Sequence, residues 1–429
     1  MKRYFALLVC VLVATLSLGA QNFDRYFADR TLRVDLIFSG DAQEQNVTLH
    51  SLASWGGWAG RRLNLNEVPL RGDGELSLTD EATGEVIYRT TFSSLFQEWL
   101  SMEEAQNTSR AYEFTILAPL PLAPATLRVV LYNPEQQVAA EMVTRLNPSD
   151  ILIRSLDGRP RTPHSTIFSG NFEGEKIDVA IVAEGYTSEE MALFREDALK
   201  TVEALFSHEP FGALRERFNF VAVESASPES GVSIPREGKW TESAVRSHFD
   251  TFYADRYLTT SAVFRMADLL VGIPYEHIIV LANTDTYGGG GIYNSYTLTT
   301  AHHTHFAPVV VHEFGHSFGG LADEYFYDTP DIASNPLVQT IEPWQQNITN
   351  LADFESKWAD MMPEGAEIPS EPTKKAERNY TVGVYEGANY MTRGAYRPAV
   401  VCRMRNNTAT GFCPVCQRAL ERMIRFYTE

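Results

Sequence analysis

The sequence is 429 residues long, which exceeds one ordinary globular domain and predicts two or three. Hydrophobic residues make up 44% and charged residues 21%, a composition typical of a soluble protein with a sizeable core. The formal net charge of −19, with no basic cluster, argues against nucleic acid and anionic membrane surfaces as partners. Acidity also favours solubility, so the charge does not select a substrate.

Residues 1–20 have the three-part layout of a secretory signal peptide. A basic pair precedes an apolar run over residues 4–18, and Gly19-Ala20 supplies small residues for cleavage. An N-terminal membrane anchor is the alternative, which the shortness of the run disfavours. Since no later segment is long and apolar enough to span a membrane, we expect an exported protein that is secreted, periplasmic or at the cell surface.

Removal of residues 1–20 would leave three cysteines, all near the end of the chain: Cys402, Cys413 and Cys416. An oxidising compartment allows one disulfide among them, and the odd number then leaves one thiol free. The spacing leaves the pairing open. A structural metal is the weaker alternative, because the pattern lacks the fourth ligand of a zinc ribbon.

The region from residue 21 to 160 is predicted to be an all-β domain of the sandwich type. Residues 32–38 and 125–132 either alternate between apolar and polar side chains or are continuously apolar. They are also rich in β-branched side chains, as strands are. Residues 147–150 and 157–163 have the composition of a boundary with a linker. No residue of this region belongs to a catalytic pattern.

Residues 161–429 alternate predicted strands with predicted helices, which indicates an α/β or α+β layer structure. Thr187 and Glu190 are spaced as in a capping box and predict a helix that runs to about Phe206. A last helix is predicted over residues 414–427. The buried-strand candidates are 176–183, 219–223 and 277–282.

Residues 307–318 form an apolar segment that carries the motif His-Glu-Phe-Gly-His at positions 312–316. On a helix, His312 and His316 project from one face and can share one metal ion. Zinc suits two neutral imidazoles, which a helix supplies with little further ordering cost. Glu313 lies about 100° round the helix, where it can act as a general base without being a ligand. A pair of core histidines on an apolar helix is the alternative.

The third metal ligand is expected just beyond this helix. A straight helix would place Asp323 about 16 Å along the axis from His312, out of range of the metal. Two adjacent glycines, Gly319 and Gly320, can end the helix and turn the chain back. We therefore expect Asp323 as the third ligand, with Glu324 as the close second.

Other residues are also candidates for the third position. His302, His303 and His305 lie just upstream of the predicted helix. Glu355, in a helix-like stretch, would be the ligand if the third carboxylate came from a separate downstream helix, as it does in thermolysin-like enzymes.

These segments together resemble the IgA-peptidase type of zinc metallopeptidase, a metzincin-like family. The resemblance covers about residues 165–429, and the β-rich N-terminal region resembles the extra domain that some bacterial members carry. It implies a zincin-like catalytic domain, a Zn²⁺ cofactor and a protein or peptide substrate, which is immunoglobulin A for one member. The segments that carry it are His-Glu-Phe-Gly-His-Ser-Phe with Gly-Leu-Ala-Asp-Glu-Tyr within 312–325, and residues 178–186, 210–211, 219–220, 230–232 and 287–291.

The resemblance also implies roles for single residues. The metzincin pattern HExxHxxGxxH, or Asp as its last ligand, fits Gly319, but position 322 is Ala322 and the acidic pair follows one residue later. A methionine turn beneath the metal is expected at Met404, with Met391 as the alternative. Tyr396 is a candidate to stabilise the oxyanion with its hydroxyl, and a structural role for it is the alternative.

A run of glycines at residues 288–291 follows the predicted strand 277–282. It indicates either a flexible loop or backbone that a peptide substrate approaches closely by strand addition along a sheet edge. The sequence does not separate these two interpretations.

The sequence as a whole predicts a secreted zinc-dependent endopeptidase. In this hypothesis the metal activates water and polarises the scissile carbonyl, while Glu313 takes the proton. A binding protein that keeps the metallopeptidase fold without activity is the alternative, which the intact motif disfavours. The sequence gives no indication of the oligomeric state or of the natural substrate.

Overall fold

The computed structural model describes residues 23–327 and 338–429. The predicted signal peptide, residues 1–20, lies outside the described residues. Within the described ranges, no helix has both the length and the apolar character needed to cross a membrane. The strands of these ranges form two sheets of four strands, one of six and one of two.

The N-terminal part of the described chain folds into the two four-stranded sheets. Its elements are α1 (Phe23–Tyr26), β1 (Phe27–Gly40), β2 (Gln45–Gly56), β3 (Gly74–Asp80), β4 (Val86–Phe92), α2 (Leu95–Trp99), β5 (Arg110–Pro121), β6 (Ala125–Tyr132), β7 (Val138–Leu146) and β8 (Arg154–Ser155). The strand orders are β5-β1-β2-β8 and β4-β3-β6-β7, and both sheets contribute to one hydrophobic core. Along β1, the buried apolar residues Leu32, Val34, Leu36 and Phe38 recur at every second position, which is the strand period. The predicted β-rich N-terminal region is confirmed.

The C-terminal part is built on a six-stranded mixed sheet with the order β13-β14-β12-β10-β11-β9. Its strands are β9 (His164–Ser169), β10 (Ile177–Glu184), β11 (Phe218–Val223), β12 (His277–Ala282), β13 (Gly289–Ile292) and β14 (Tyr296–Thr300). The four inner strands run parallel, and both edge strands are antiparallel to their neighbours. A separate hairpin follows, formed by β15 (Tyr385–Ala388) and β16 (Met391–Arg397).

Helices pack on both faces of the six-stranded sheet. They are α3 (Met191–Phe206), α4 (Val263–Leu269), α5 (Phe306–Ser317) and α7 (Pro414–Thr428), while the short helix α6 (Lys374–Arg378) precedes the hairpin. Val179 of β10 lies in one core with α3, α5 and α7, whereas its neighbour Ala180 lies in another core with α4. The predicted capping box is present, since the Thr187 N–H donates to the Glu190 carboxylate at 2.8 Å ahead of α3. The predicted mixture of helices and strands is confirmed.

The N-terminal part packs directly on the C-terminal part. The guanidinium of Arg33 on β1 forms an ion pair with Asp268 on α4 at 2.6 Å. The Trp344 indole donates to the Asp73 carboxylate at 2.8 Å. Leu70 belongs to the same core as α5. The N-terminal region is therefore part of the frame around α5.

His277, the first residue of β12, is a buried histidine behind α5. Its ring packs edge-on against Phe318 and Tyr427, with ring centroids 4.9 Å and 5.2 Å apart. Its exposed fraction is 4%, and burial lowers its pKa from 6.5 to about 3. Between these values the unfolded chain binds the proton that the folded chain excludes. The free energy of unfolding therefore falls as the pH falls from about 6.5 towards about 3.

We expect His277→Phe to remove this part of the acid sensitivity, because phenylalanine fills a similar space and does not titrate. The wild type should lose up to about 1.4 kcal/mol of unfolding free energy per pH unit more than the variant on acidification. Denaturant titrations between about pH 4 and about pH 7 measure the difference. His164→Gln, at an exposed position, serves as the control. Equal slopes for wild type and His277→Phe would contradict the expectation.

Candidate metal centre

Helix α5 presents the motif side chains on its less buried side. Its apolar residues, among them Val310, Val311 and Phe314, are buried in the core against the sheet. His312 and His316 are half-buried, as is Glu313 between them. The apolar stripe fixes the rotation of the helix, and so the three polar side chains lie together where they can hold a metal ion.

Three potential ligand atoms form a triangle beside α5. The Nε2 atoms of His312 and His316 lie 3.0 Å apart, and Asp323 Oδ1 lies 3.1 Å and 3.3 Å from them. Zinc bound tetrahedrally with bonds of about 2.0–2.2 Å places its ligands about 3.3–3.6 Å from each other. Asp323 Oδ1 is buried, and no hydrogen bond of good geometry from the described residues satisfies it. The two imidazoles and the carboxylate therefore fit a zinc ion.

Backbone carbonyl groups orient both imidazoles. His312 donates from Nδ1 to the Arg403 carbonyl at 3.0 Å, and His316 donates from Nδ1 to the Leu321 carbonyl at 2.6 Å. A proton fixed on Nδ1 leaves the lone pair on Nε2, and Nε2 is the atom that faces the other ligands. The rings are thus held in the tautomer that a metal requires.

Asp323 reaches the histidines because the chain reverses after α5, as the glycine pair predicts. Gly320 has a φ of 57°, in the left-handed region that favours glycine. Its N–H donates to the His316 carbonyl at 2.9 Å, and a Cβ at this position would lie 2.6 Å from a Leu70 methyl group. Both the backbone angle and the limited space therefore favour glycine. The predicted turn is confirmed.

Glu324 points away from the histidines. One of its carboxylate oxygens accepts from the Asn347 amide at 3.0 Å and lies 3.1 Å from the Cys416 sulfur. These contacts place the Glu324 carboxylate in the interior behind the centre. Of the two acidic candidates, the structure brings only Asp323 together with the motif histidines.

The other candidate ligands lie elsewhere. Glu355 is exposed in a short 3-10 helix. The His302 ring hydrogen-bonds to Asp197 at 2.7 Å, and the rings of His303 and His305 lie 5.4 Å apart beside the start of α5. The structure brings none of these four residues together with the motif histidines.

Burial and the neighbouring charges shift the pKa values of the side chains at the centre. Burial raises the pKa of the Glu313 carboxyl, against the smaller opposing effect of the two imidazoles. Burial opposes ionisation of Asp323 too, yet His316 and His312 hold the pKa of its carboxyl well below the usual range. Burial would lower the pKa of His316, but Asp323 raises it to about 9. Asp323 is thus the stable anion of the site, and Glu313 is the carboxylate that accepts a proton more readily.

Three of the four glycines of the run, residues 289–291, lie in edge strand β13 rather than in a flexible loop. A Cβ on Gly291 would overlap the Glu313 carbonyl oxygen, and one on Gly289 would lie 2.9 Å from the Glu313 side chain. The glycines therefore allow β13 to pack directly against the helix that carries Glu313. The free edge of β13 is covered at Gly289, which bridges to Tyr257. The close approach at these glycines is thus made by α5.

Met404 lies directly beneath α5. Its side chain is fully buried, and its sulfur would lie 2.7 Å from a Cβ built on Gly315 within the motif. Met391, in contrast, is half-buried on β16 and packs with Ala322 and other small side chains. Of the two candidates, Met404 packs against the motif helix and Met391 lies to one side, and the methionine turn at Met404 stays a prediction.

Tyr396 does not reach the motif residues. It lies on β16 opposite Glu386, and its backbone pairs with Thr349. Among the residues that the structure describes, no hydrogen bond or ring contact joins Tyr396 to α5. Its place is fixed by hairpin pairing, which could not be read from the sequence.

Tyr390 is the tyrosine that contacts the centre. Its hydroxyl donates to Asp323 Oδ2, the carboxylate oxygen that does not face the histidines. The N–H of Asn389 donates to the Asp323 carbonyl at 2.9 Å. Asn389 and Tyr390 have φ values of 49° and 63°, so a left-handed turn of the hairpin aims the ring at Asp323. No spacing pattern in the sequence predicts the contact between Tyr390 and Asp323.

We expect Tyr390→Phe to weaken zinc retention by about 10–100-fold, the usual cost of losing the hydrogen-bond partner of a metal ligand. Competition against a fluorescent zinc chelator measures the affinity. Tyr396→Phe removes a matched hydroxyl that does not touch Asp323, and it should leave the affinity unchanged. If both variants bind zinc as the wild type does, Tyr390 does not support the ligand.

Two family profiles match this chain. The profile described as IgA Peptidase M64 matches residues 168–381 and 371–424, which together cover more than half of the chain. The profile described as Peptidase M64 N-terminus matches residues 22–143. The chain belongs to the IgA peptidase M64 family. The resemblance read from the sequence, including the extra N-terminal domain, is confirmed.

Membership in the M64 family implies a metallopeptidase, a hydrolase of peptide bonds. The matched ranges contain the motif on α5, Asp323 and Met404. The comparison with curated proteins gave no match.

The N-terminal region of this M64 peptidase also contributes to the surroundings of the centre. Glu98 on α2 accepts a hydrogen bond from the hydroxyl of Tyr257. Burial raises the pKa of Glu98 to about 7, and its charge interacts with those of His316 and Asp323. The sequence suggested no catalytic pattern in this region, because only the packing of α2 brings the Glu98 carboxyl close to His316 and Asp323.

Proposed function

We propose that this M64 peptidase is an exported, zinc-dependent endopeptidase with a zincin-like catalytic domain. The observation that carries the proposal is the triangle of His312 Nε2, His316 Nε2 and Asp323 Oδ1, with Glu313 beside it. Two imidazoles and one carboxylate are the ligand set of many catalytic zinc sites. A zinc ion bound there supplies a Lewis acid for the scissile carbonyl and lowers the pKa of the attacking water.

The side chains of the chain itself supply the proton transfers and the positioning. Glu313 accepts the proton of the attacking water and passes it to the leaving amine, a role that suits a carboxyl of raised pKa. The carbonyls of Arg403 and Leu321 keep the imidazoles in one tautomer. The Tyr390 hydroxyl holds Asp323. The proposal does not use Tyr396.

We propose proteins outside the cytoplasm as the substrates. The signal-peptide layout of residues 1–20 supports export, and the excess of acidic over basic residues supports solubility after export. The description of the family makes immunoglobulin A the first specific substrate to test. Casein is a general substrate for the same assay.

We expect removal of zinc to abolish cleavage of casein and of immunoglobulin A, and one equivalent of zinc at the centre to restore it. The reason is that Glu313 alone cannot polarise the substrate carbonyl. Initial rates are measured before and after treatment with ortho-phenanthroline, with its non-chelating meta isomer as the control. Full activity in protein shown to be metal-free would contradict the proposal. Zinc-loaded wild type that cleaves no protein would support a binding function instead.

A further inference from the structure

A second cluster of metal-ligating side chains lies behind the centre on α5. It consists of Glu324, Cys402, Cys413 and Cys416, all of them buried. One carboxylate oxygen and three sulfurs lie within 4.8 Å of one another. None of these side chains contacts the motif histidines. We name these four residues the cysteine cluster.

Two sulfur atoms of the cysteine cluster are separated by the distance expected of two ligands on one metal ion. The sulfurs of Cys402 and Cys416 lie 3.7 Å apart. Two sulfurs on a tetrahedral zinc ion, each bound at about 2.3 Å, lie about 3.8 Å apart. A disulfide needs about 2.0 Å and would use only two of the three sulfurs. All three cysteines are free thiols in this structure.

The Glu324 carboxylate of the cysteine cluster is buried without a cation bound directly to it. Glu324 has an exposed fraction of 0%, and its Oε2 atom has no hydrogen-bond partner among the described residues. No Lys or Arg side chain of the described ranges forms an ion pair with it within 4.0 Å. A buried carboxylate without a directly bound cation is strongly unfavourable. A metal ion shared with the thiols would satisfy it.

The surroundings of the cluster favour thiolates. Cys413 is the N-cap of α7 and Cys416 lies in its first turn, so the positive end of the helix dipole faces the sulfurs. The Cys413 N–H donates to the Cys402 sulfur at 3.3 Å. The charges of Arg397 and Arg405 also act on Glu324. These positive groups offset part of the excess charge that three thiolates and a carboxylate bring to a divalent ion.

We propose that Glu324, Cys402, Cys413 and Cys416 bind a second zinc ion, with a structural role. Four protein ligands leave no open position, which is the mark of a structural rather than a catalytic site. Three thiolates select zinc over magnesium or calcium.

The ion would join three segments that support the catalytic centre. The segment of Glu324 carries Asp323, and the Glu324 N–H donates to the Met404 carbonyl at 2.9 Å. The loop of Cys402 carries Met404 and also Arg403, whose carbonyl orients His312. Helix α7 supplies the remaining two sulfurs. A zinc ion here would fix the third-ligand segment and the methionine loop relative to each other.

Metal analysis of the full chain tests the proposal without reference to peptidase activity. We expect two zinc ions per wild-type chain and one in the double variant His312→Ala/His316→Ala. The double variant Cys402→Ser/Cys416→Ser should also lose one ion. In unreduced protein, alkylation after unfolding in a chelator should modify Cys402, Cys413 and Cys416 alike.

A spectroscopic measurement covers the case in which the cysteine variant does not fold. Cobalt(II) bound to His312→Ala/His316→Ala should give the intense near-ultraviolet charge-transfer bands of thiolate coordination. A single zinc ion in the wild type with none in the histidine variant would overturn the proposal. A disulfide between any two of the three cysteines in the unreduced protein would overturn it as well. Two bound zinc ions without proteolysis would support this site and contradict only the proposed peptidase function.

Discussion

Replacement of Glu313 by glutamine should lower the rate of peptide hydrolysis by roughly 10²–10⁴-fold and leave zinc bound. Glutamine has nearly the same shape as glutamate, but it cannot accept the proton of the attacking water. The imidazoles and Asp323 do not depend on Glu313 for their orientation, because carbonyl groups and Tyr390 hold them. The expected loss is therefore in kcat, with the zinc content unchanged.

Initial rates on casein, together with zinc content for the same preparation, measure this effect. Glu355→Gln is the matched control, since Glu355 is exposed and lies outside the centre. That control also tests the thermolysin-like alternative, in which Glu355 would be a zinc ligand. A Glu313→Gln variant as active as the wild type would show that another group is the base.

Replacement of Asp323 by alanine should weaken zinc binding at the centre by more than about 100-fold. Loss of a hydrogen bond to a ligand weakens binding by up to about 100-fold, and loss of the ligand itself should weaken it further. The change removes one of three ligands and the negative charge that balances the ion. It also leaves the Tyr390 hydroxyl without its acceptor. Activity should fall in parallel with zinc occupancy and should recover partly at high zinc concentration.

Zinc affinity of Asp323→Ala is measured by competition, with Asp285→Ala at an exposed position as the control. Glu324→Gln provides the decisive comparison, because the two acidic residues are adjacent but face different clusters. Loss of the zinc ion at the histidines in Glu324→Gln, with wild-type affinity in Asp323→Ala, would reverse the assignment. The cobalt spectrum tells which of the two ions remains, since only the cysteine cluster supplies thiolates.

The N-terminal region has a larger role than its sequence indicated. Its strands show the period of two that predicts a β-rich fold, and nothing in them indicates chemistry. In the structure, α2 brings Glu98 close to His316 and Asp323, and Leu70 occupies the space beside Gly320 where the chain reverses. Both contacts join residues far apart in the sequence, so no local pattern could predict them.

The sequence by itself determined the family, the β-rich and mixed parts, the helix with His312, Glu313 and His316, and the turn at the glycine pair. These features follow from local rules, namely hydrophobic period, helix geometry and the backbone freedom of glycine.

Only the tertiary structure shows that Asp323 lies with the motif histidines, whereas the adjacent Glu324 lies with the cysteines. The tertiary structure also brings Glu324 to the three cysteines as the fourth member of the cysteine cluster. The cysteine spacing lacked a fourth ligand because that ligand, Glu324, lies on a distant segment. Folding brings this carboxylate to the thiols because the turn after α5 and the N-terminus of α7 pack in the same core.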